Sequence, residues 1–189
     1  MRKFYLFASI IAATALFASC KKNDSAPEAQ VVKEILVSLA AANENPQPTG
    51  RTERGTATIK IYNDNSITVD AALTGFSTTD NLTLAHMHAG DPVTNGPVVL
   101  DLMPAFTGST LKSNVKGIRT SLIDSLKAGT ADLYLNIHST QVGSGIVRGQ
   151  LFNEVTFAAS VALSGANEVP SVTTTATGMA LIHTTAENK

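Results

Sequence analysis

Thr58-Ile59-Lys60-Ile61-Tyr62-Asn63-Asp64-Asn65-Ser66-Ile67-Thr68-Val69-Asp70-Ala71-Ala72-Leu73 is the stretch that decides the fold class. On its first arm Ile59 and Ile61 alternate with Thr58, Lys60 and Tyr62. On its second arm Ile67, Val69, Ala71 and Leu73 alternate with Thr68, Asp70 and Ala72. A period of two sends successive side chains to opposite faces of a strand. Asn63 to Ser66 is a short polar interruption, so the two arms read as a hairpin.

Further strands are expected at Ile35–Ala41, Leu82–Ala89, Pro97–Leu102, Ala131–His138 and Gly145–Phe152. One segment breaks the pattern: Ile118, Leu122 and Leu126 recur every four residues. Thr120 or Ser121 is placed to cap its start, while Lys127 and Gly129 suit its end, which gives a short helix. Thr, Ser, Ala, Val and Gly are plentiful and Trp is absent. Many short strands with one helix predict an all-β fold, an antiparallel Greek-key-like β-sandwich or barrel.

The N-terminus reads differently. Arg2 and Lys3 precede an uncharged run from Phe4 to Ser19, too short for a comfortable membrane span but suited to a signal peptide. It ends at Phe17-Ala18-Ser19-Cys20, which resembles a bacterial lipobox, with Phe17 where an aliphatic residue is usual. Residues 1–19 are therefore expected to be a lipoprotein signal peptide and Cys20 the lipidated first residue of the mature chain. As Cys20 is the single cysteine, no internal disulfide is available. Residues 20–34 are charged and small, as expected of a flexible tether. The expected location is the cell envelope, anchored by lipid and facing the periplasm or the exterior.

The chain also repeats itself. Val37-Ser38-Leu39-Ala40-Ala41-Ala42-Asn43-Glu44-Asn45-Pro46 is echoed by Val161-Ala162-Leu163-Ser164-Gly165-Ala166-Asn167-Glu168-Val169-Pro170. Gly55-Thr56-Ala57 is echoed in turn by Gly178-Met179-Ala180. The expected division is a β domain over 35–154 and an incomplete second copy over 155–189. Some 30 residues cannot bury a core of their own.

Several short phrases then follow in a fixed order: Leu39 to Pro46, Gly55-Thr56-Ala57, Ala85-His86-Met87-His88 and Gly96-Pro97-Val98-Val99. Leu133-Tyr134-Leu135-Asn136-Ile137-His138 and Ile146-Val147-Arg148-Gly149-Gln150-Leu151 complete the series. Together they resemble the CHRD (chordin-type) domain family over about Ile35 to Phe152. The resemblance implies a β-sandwich or barrel and leaves the chemistry open. Asn45 stands where Val is common. Val147 widens the usual Ile-Arg pair by one residue, an insertion expected to disturb strand register near Arg148.

Of four histidines, three lie in these phrases. His86 and His88 are two apart and share a strand face. His138 lies on the polar face of its strand, opposite Leu133, Leu135 and Ile137. On the other strand Leu82, Leu84, His86 and His88 share a side, so the histidines read as the end of a buried leucine face. In the functional reading His86, His88 and His138 converge on copper or zinc, for which imidazole is a suitable ligand. In the structural reading they hydrogen-bond neighbouring strands and loops. No fourth ligand stands out, because Asp91 and Asp101 are explained as loop and strand-surface residues, and His183 reads as incidental. Arg148 reads either as a group that binds an anion near the histidines or, the favoured reading, as the partner of a carboxylate such as Glu44 or Glu168 that fixes the Asn-Glu-x-Pro loop.

Other chemistry finds no footing. Charged residues make 15% of the chain, the net charge is −1 and no long basic run or basic–aromatic cluster exists, so no nucleic-acid partner is expected. There is no nucleophile elbow, and Gly143-Ser144-Gly145 lacks the lysine of a phosphate loop. The expected function is a lipid-anchored binding module without turnover. Its expected partner is a protein, a polysaccharide or a second copy met through the C-terminal repeat. The alternative is a copper- or zinc-binding, or metal-redox, protein using the three histidines.

Overall fold

The protein is described here from a computed structural model, which describes residues 28–186. The expected signal peptide and Cys20 lie outside the described residues. The strands are β1 Val31–Ala40, β2 Arg54–Tyr62, β3 Ile67–Thr74, β4 Leu82–Ala89, β5 Val98–Asp101 and β6 Ala105–Thr107. After β7 Thr110–Val115 comes the helix α1 Thr120–Ala128, then β8 Leu133–Ser139, β9 Val147–Gln150, β10 Val155–Ser164 and β11 Thr177–Thr185. Nine strands form one curled antiparallel sheet, a half-barrel, in the order β5-β4-β8-β9-β1-β2-β3-β7-β6. The all-β expectation holds, with a single curled sheet as its form.

The deciding hairpin is β2–β3, where Ile61 faces Ile67, Ile59 faces Val69 and Ala57 faces Ala71. Its turn is made by side chains: Asp64 Oδ1 accepts from the Ser66 N–H at 3.0 Å and from its hydroxyl at 2.6 Å. Such local bonds are how Asp and Ser favour turns. Ile59, Ile61, Ile67 and Val69 are fully buried, each worth roughly 2–3 kcal/mol of hydrophobic stabilisation. Leu122, Ile123 and Leu126 of α1 join the same core. The helix starts one residue after Arg119, so neither Thr120 nor Ser121 caps it, and Gly129 closes it in the left-handed conformation. Among the described residues no helix is long and apolar enough to cross a membrane.

Three expectations change. Val31 to Glu34 belong to strand β1, paired with β2, so they are not part of a flexible tether. In β4 the buried residues are Leu82, Ala85 and Met87, while Leu84 is half-exposed. A register irregularity between Leu82 and Leu84 puts these leucines on different sides, so His86 and His88 do not continue a core face. Finally, the β8–β9 register runs unbroken through Ile137–Val147 and Asn136–Arg148, and Val147 causes no slip there.

β10 and β11 form a separate two-stranded sheet. A single 3₁₀ turn follows β10 at Gly165–Asn167 as one follows β1 at Ala41–Asn43, so the repeated phrase repeats its local structure. The hairpin touches the larger sheet through Ser38 Oγ, which donates to Glu154 at 2.6 Å, through Gln47 N–H, which donates to Ser160 Oγ at 3.3 Å, and through His183, half-buried beside Asp91, Pro92 and Arg148. Burial separates the copies. Val37, Leu39 and Ile59 are 0–2% exposed, whereas their counterparts Val161, Leu163 and Ile182 are 43–49% exposed.

Candidate functional site

β4 and β8 pair so that His86 faces Asn136, His88 faces Tyr134 and Leu84 faces His138. Their apolar side chains, Ala85, Met87, Leu133, Leu135 and Ile137, enter the core. Alternation then sends His86, His88, Tyr134, Asn136 and His138 to the opposite face. The two His-bearing phrases, some fifty residues apart, thus meet across one ladder.

One ligand atom from each of His86, His88 and His138 lies within 4.8 Å of the others. His86 Nδ1 and His138 Nε2 are 3.1 Å apart. His138 Nδ1 lies 3.1 Å from the Gly143 carbonyl, and His88 Nδ1 lies 2.9 Å from the Gly96 carbonyl. A carbonyl only accepts, so both Nδ1 atoms carry the proton and both Nε2 atoms keep a lone pair. His138 Nε2 is then the acceptor and His86 Nδ1 the donor between the two rings. His88 Nε2 is buried without a hydrogen-bond partner. Burial holds the pKa of both His88 and His138 below the ordinary histidine value, outweighing the Gly96 and Gly143 carbonyls that raise them. Neutral imidazoles oriented by carbonyls are the state in which histidine ligates a metal. Asp91 and Asp101 are spent locally, accepting from the N–H groups of Val93 and Met103.

Arg148 is 1% exposed, and its guanidinium does not go to Glu44 or Glu168. It donates to the carbonyls of Asp91 and Thr94 and to the side chains of Asn95 and Gln150. It also lies 3.5 Å over the Tyr134 ring, whose stacking with His88 is nearly parallel, 4.8 Å between centroids. Arg148 therefore fastens the loop over residues 90–96, and with it the carbonyl that orients His88. The Asn-Glu-x-Pro loop is held otherwise, by Asn43 donating to the Arg148 carbonyl at 3.1 Å and by Asn136 donating to both Glu44 oxygens at 3.0–3.1 Å. Burial pushes the Glu44 pKa up to about 8, against the lowering effects of Asn136 and Arg148.

A model of the CHRD domain family matches residues 35–151, more than half of the chain. The chain belongs to the CHRD domain family. No curated protein and no solved structure matches it. The CHRD phrases converge in space: Glu44, Asn45, Pro46, His88, Gly96, Tyr134 and Asn136 line one cavity of about 170 Å³ with Asn95 and Ser144. Sequence reasoning found His86, His88, His138, Arg148 and Glu44 as candidates. It missed Tyr134, Asn136, Gly96 and Gly143 as site builders. The polar side of β8 was legible from alternation, but two carbonyl acceptors carry no side-chain signal. A larger cleft of about 490 Å³, between β1 and β10, is lined by none of the histidines.

Proposed function

We propose that this CHRD domain protein is a lipid-anchored envelope protein that binds copper or zinc through His86, His88 and His138, without turnover. The observation that carries the reading is the pair of carbonyl-held rings. Gly96 and Gly143 fix His88 and His138 as Nδ1–H tautomers, so that each offers an Nε2 lone pair. In the metal-free state the His86–His138 hydrogen bond occupies one of them, and an ion would replace that bond. A binding or interaction role is what the CHRD membership supports in general. Nothing in the site adds a nucleophile, and the envelope location rests on residues 1–20.

The test is the elemental content of natively purified protein carrying no His-tag, followed by titration with Zn²⁺ and Cu²⁺. Copper or zinc is expected near one equivalent, with the melting temperature rising on addition. The His86→Ala/His88→Ala double variant should show no metal-dependent rise. Absence of metal together with identical responses of the two proteins would sink the reading. The protein would then be a binding module for a protein or polysaccharide, its histidines serving as strand-to-loop hydrogen-bonding groups.

A further inference from the structure

The β10–β11 hairpin repeats β1–β2 down to its irregularities. Val161 faces Ala180 and Leu163 faces Gly178, as Val37 faces Ala57 and Leu39 faces Gly55. The register breaks between Val155 and Phe157, as it does between Val31 and Lys33. The surroundings of the two hairpins differ. β2 is covered along its outer edge by β3, whereas β11 pairs with β10 alone. Among the described residues, Thr177 to Ile182 make no other backbone pairing. The nine-stranded sheet ends in β5 and β6, four and three residues long, which are poor templates for a further strand. β11 has nine residues, and Glu168 is the one Asp, Glu, Lys or Arg between residues 155 and 186. A long strand edge without charges is open to another strand.

Gly178 narrows the choice of strand. Its counterpart Gly55 is required by β3, because a Cβ there would overlap the Ala72 carbonyl oxygen and lie 2.7 Å from Leu73 Cδ2. At Gly178 a Cβ would meet nothing nearer than Leu163, at 3.8 Å, and the backbone is not left-handed. The hairpin by itself has no need of glycine there; the open space is the one that a leucine of the neighbouring strand fills in the first copy. β2 and β3 meet through the pairs Gly55–Leu73, Ala57–Ala71 and Ile59–Val69. β11 carries Gly178, Ala180 and Ile182 at the places of Gly55, Ala57 and Ile59. Laid antiparallel on its own copy with Ala180 opposite Ala180, it repeats the alanine pair and sets each Gly178 against an Ile182. We propose that β11 docks in this register on β11 of a second copy of the chain, joining their two-stranded sheets in the order β10-β11-β11-β10. Such a pair is closed by a two-fold axis, and a face without charges brings no like charges together across it. The half-exposed Phe157, Val161, Leu163 and Ile182 of both chains then form one apolar face. Ser160 and His183, on the other face, turn toward the domain. Neither the three site histidines nor a lipid on Cys20 takes part, so this inference does not rest on the proposed function.

The experiment is sedimentation velocity of the full chain in detergent micelles, with a chelator present so that no metal bridges two chains. Dimers are expected with a dissociation constant on the order of 10 μM, weak because the pairing buries less than a standard interface. Gly178→Val should raise that constant at least about tenfold, since its side chain would meet Ile182 of the second copy. The same variant has room in the single chain, so its melting temperature at high dilution should match the wild type. A covalent readout adds a second test that leaves Gly178 in place. Ala180→Cys, on the axis, should form a disulfide with its own copy under mild oxidation, whereas Lys112→Cys, exposed on β7, and the parent chain should not. Monomers at every concentration would overturn the proposal. So would dimers that survive Gly178→Val, disulfides no more frequent at position 180 than at position 112, or oligomers that grow beyond two. The metal titration succeeds or fails separately from all of these.

Discussion

Arg148 shows how much a single buried side chain can hold in place. Its guanidinium supplies hydrogen bonds to two loop carbonyls and two side chains and covers Tyr134, so no exposed lysine or arginine is its equivalent. Arg148→Met should destabilise the domain by about 2 kcal/mol, because the part-buried Asp91 and Thr94 carbonyls lose their donor and Tyr134 its cover. Urea unfolding measures this, and a loss under about 1 kcal/mol would show that the loop is held by other means. Glu44 makes a different prediction, one of pH. Its folded pKa is raised from 4.5 to about 8, so the folded state keeps a proton that the unfolded chain releases. The stability this gives is fully present below about pH 4.5. It declines as pH rises and is gone once pH has passed through about 8. Wild-type unfolding free energy should therefore fall by roughly 2–5 kcal/mol between pH 5 and 8.5, and Glu44→Gln should flatten that slope. A slope equal in both proteins would mean another group titrates. Asp80 works in the opposite sense. Burial would raise its pKa, but bonds from Thr140, Ser139, Gln141 and Arg51 prevail and hold it well below the carboxylate range. Its contribution is present above the unfolded value and lost in acid.

At the scale of elements, alternation made the β2–β3 hairpin, β8 and the histidine end of β4 readable. The strand β7 was not, because Leu111 and Val115 are its only large apolar residues and Ser113 takes the buried place between them. The core side of β4 was misread because a bulge cancels the two-residue period at Leu82 and Leu84. The helix was found from Ile118, Leu122 and Leu126, yet its buried stripe also contains Ile123, and Ile118 precedes it. The β10–β11 hairpin carries its own prediction. It makes its ladder internally and reaches the main domain through a few polar bonds and the half-buried ring of His183. Deleting residues 155–189 should therefore change the melting temperature of the nine-stranded domain by no more than about 3 °C. It should also reduce aggregation, because Phe157, Val161, Leu163 and Ile182 leave with it. A fall of 10 °C would instead make the hairpin part of the domain's stability.

For the whole molecule, the described domain and its N-terminal segment give separable expectations. The domain needs no cross-link, since its core is one continuous cluster drawn from the curled sheet and α1. The envelope assignment depends on Cys20 and the apolar run before it. Cys20→Ser should move the protein from the detergent phase to the aqueous phase in a detergent partition, with the domain's melting temperature unchanged. Retention in the detergent phase would mean that something other than a lipid on Cys20 holds it.

Strand character, the order of the CHRD phrases and the three histidines were all determined by the sequence alone, because periodicity and residue type are local properties of a chain. The tertiary structure decided which groups face one another. It spent Arg148 on loop carbonyls rather than on a carboxylate, and bound Glu44 to Asn136. It also brought Asn45, Asn136 and His88 together in the lining of one cavity. The physical reason is that a hydrogen bond depends on the distance and direction between groups from distant strands, which folding sets and spacing along the chain does not encode.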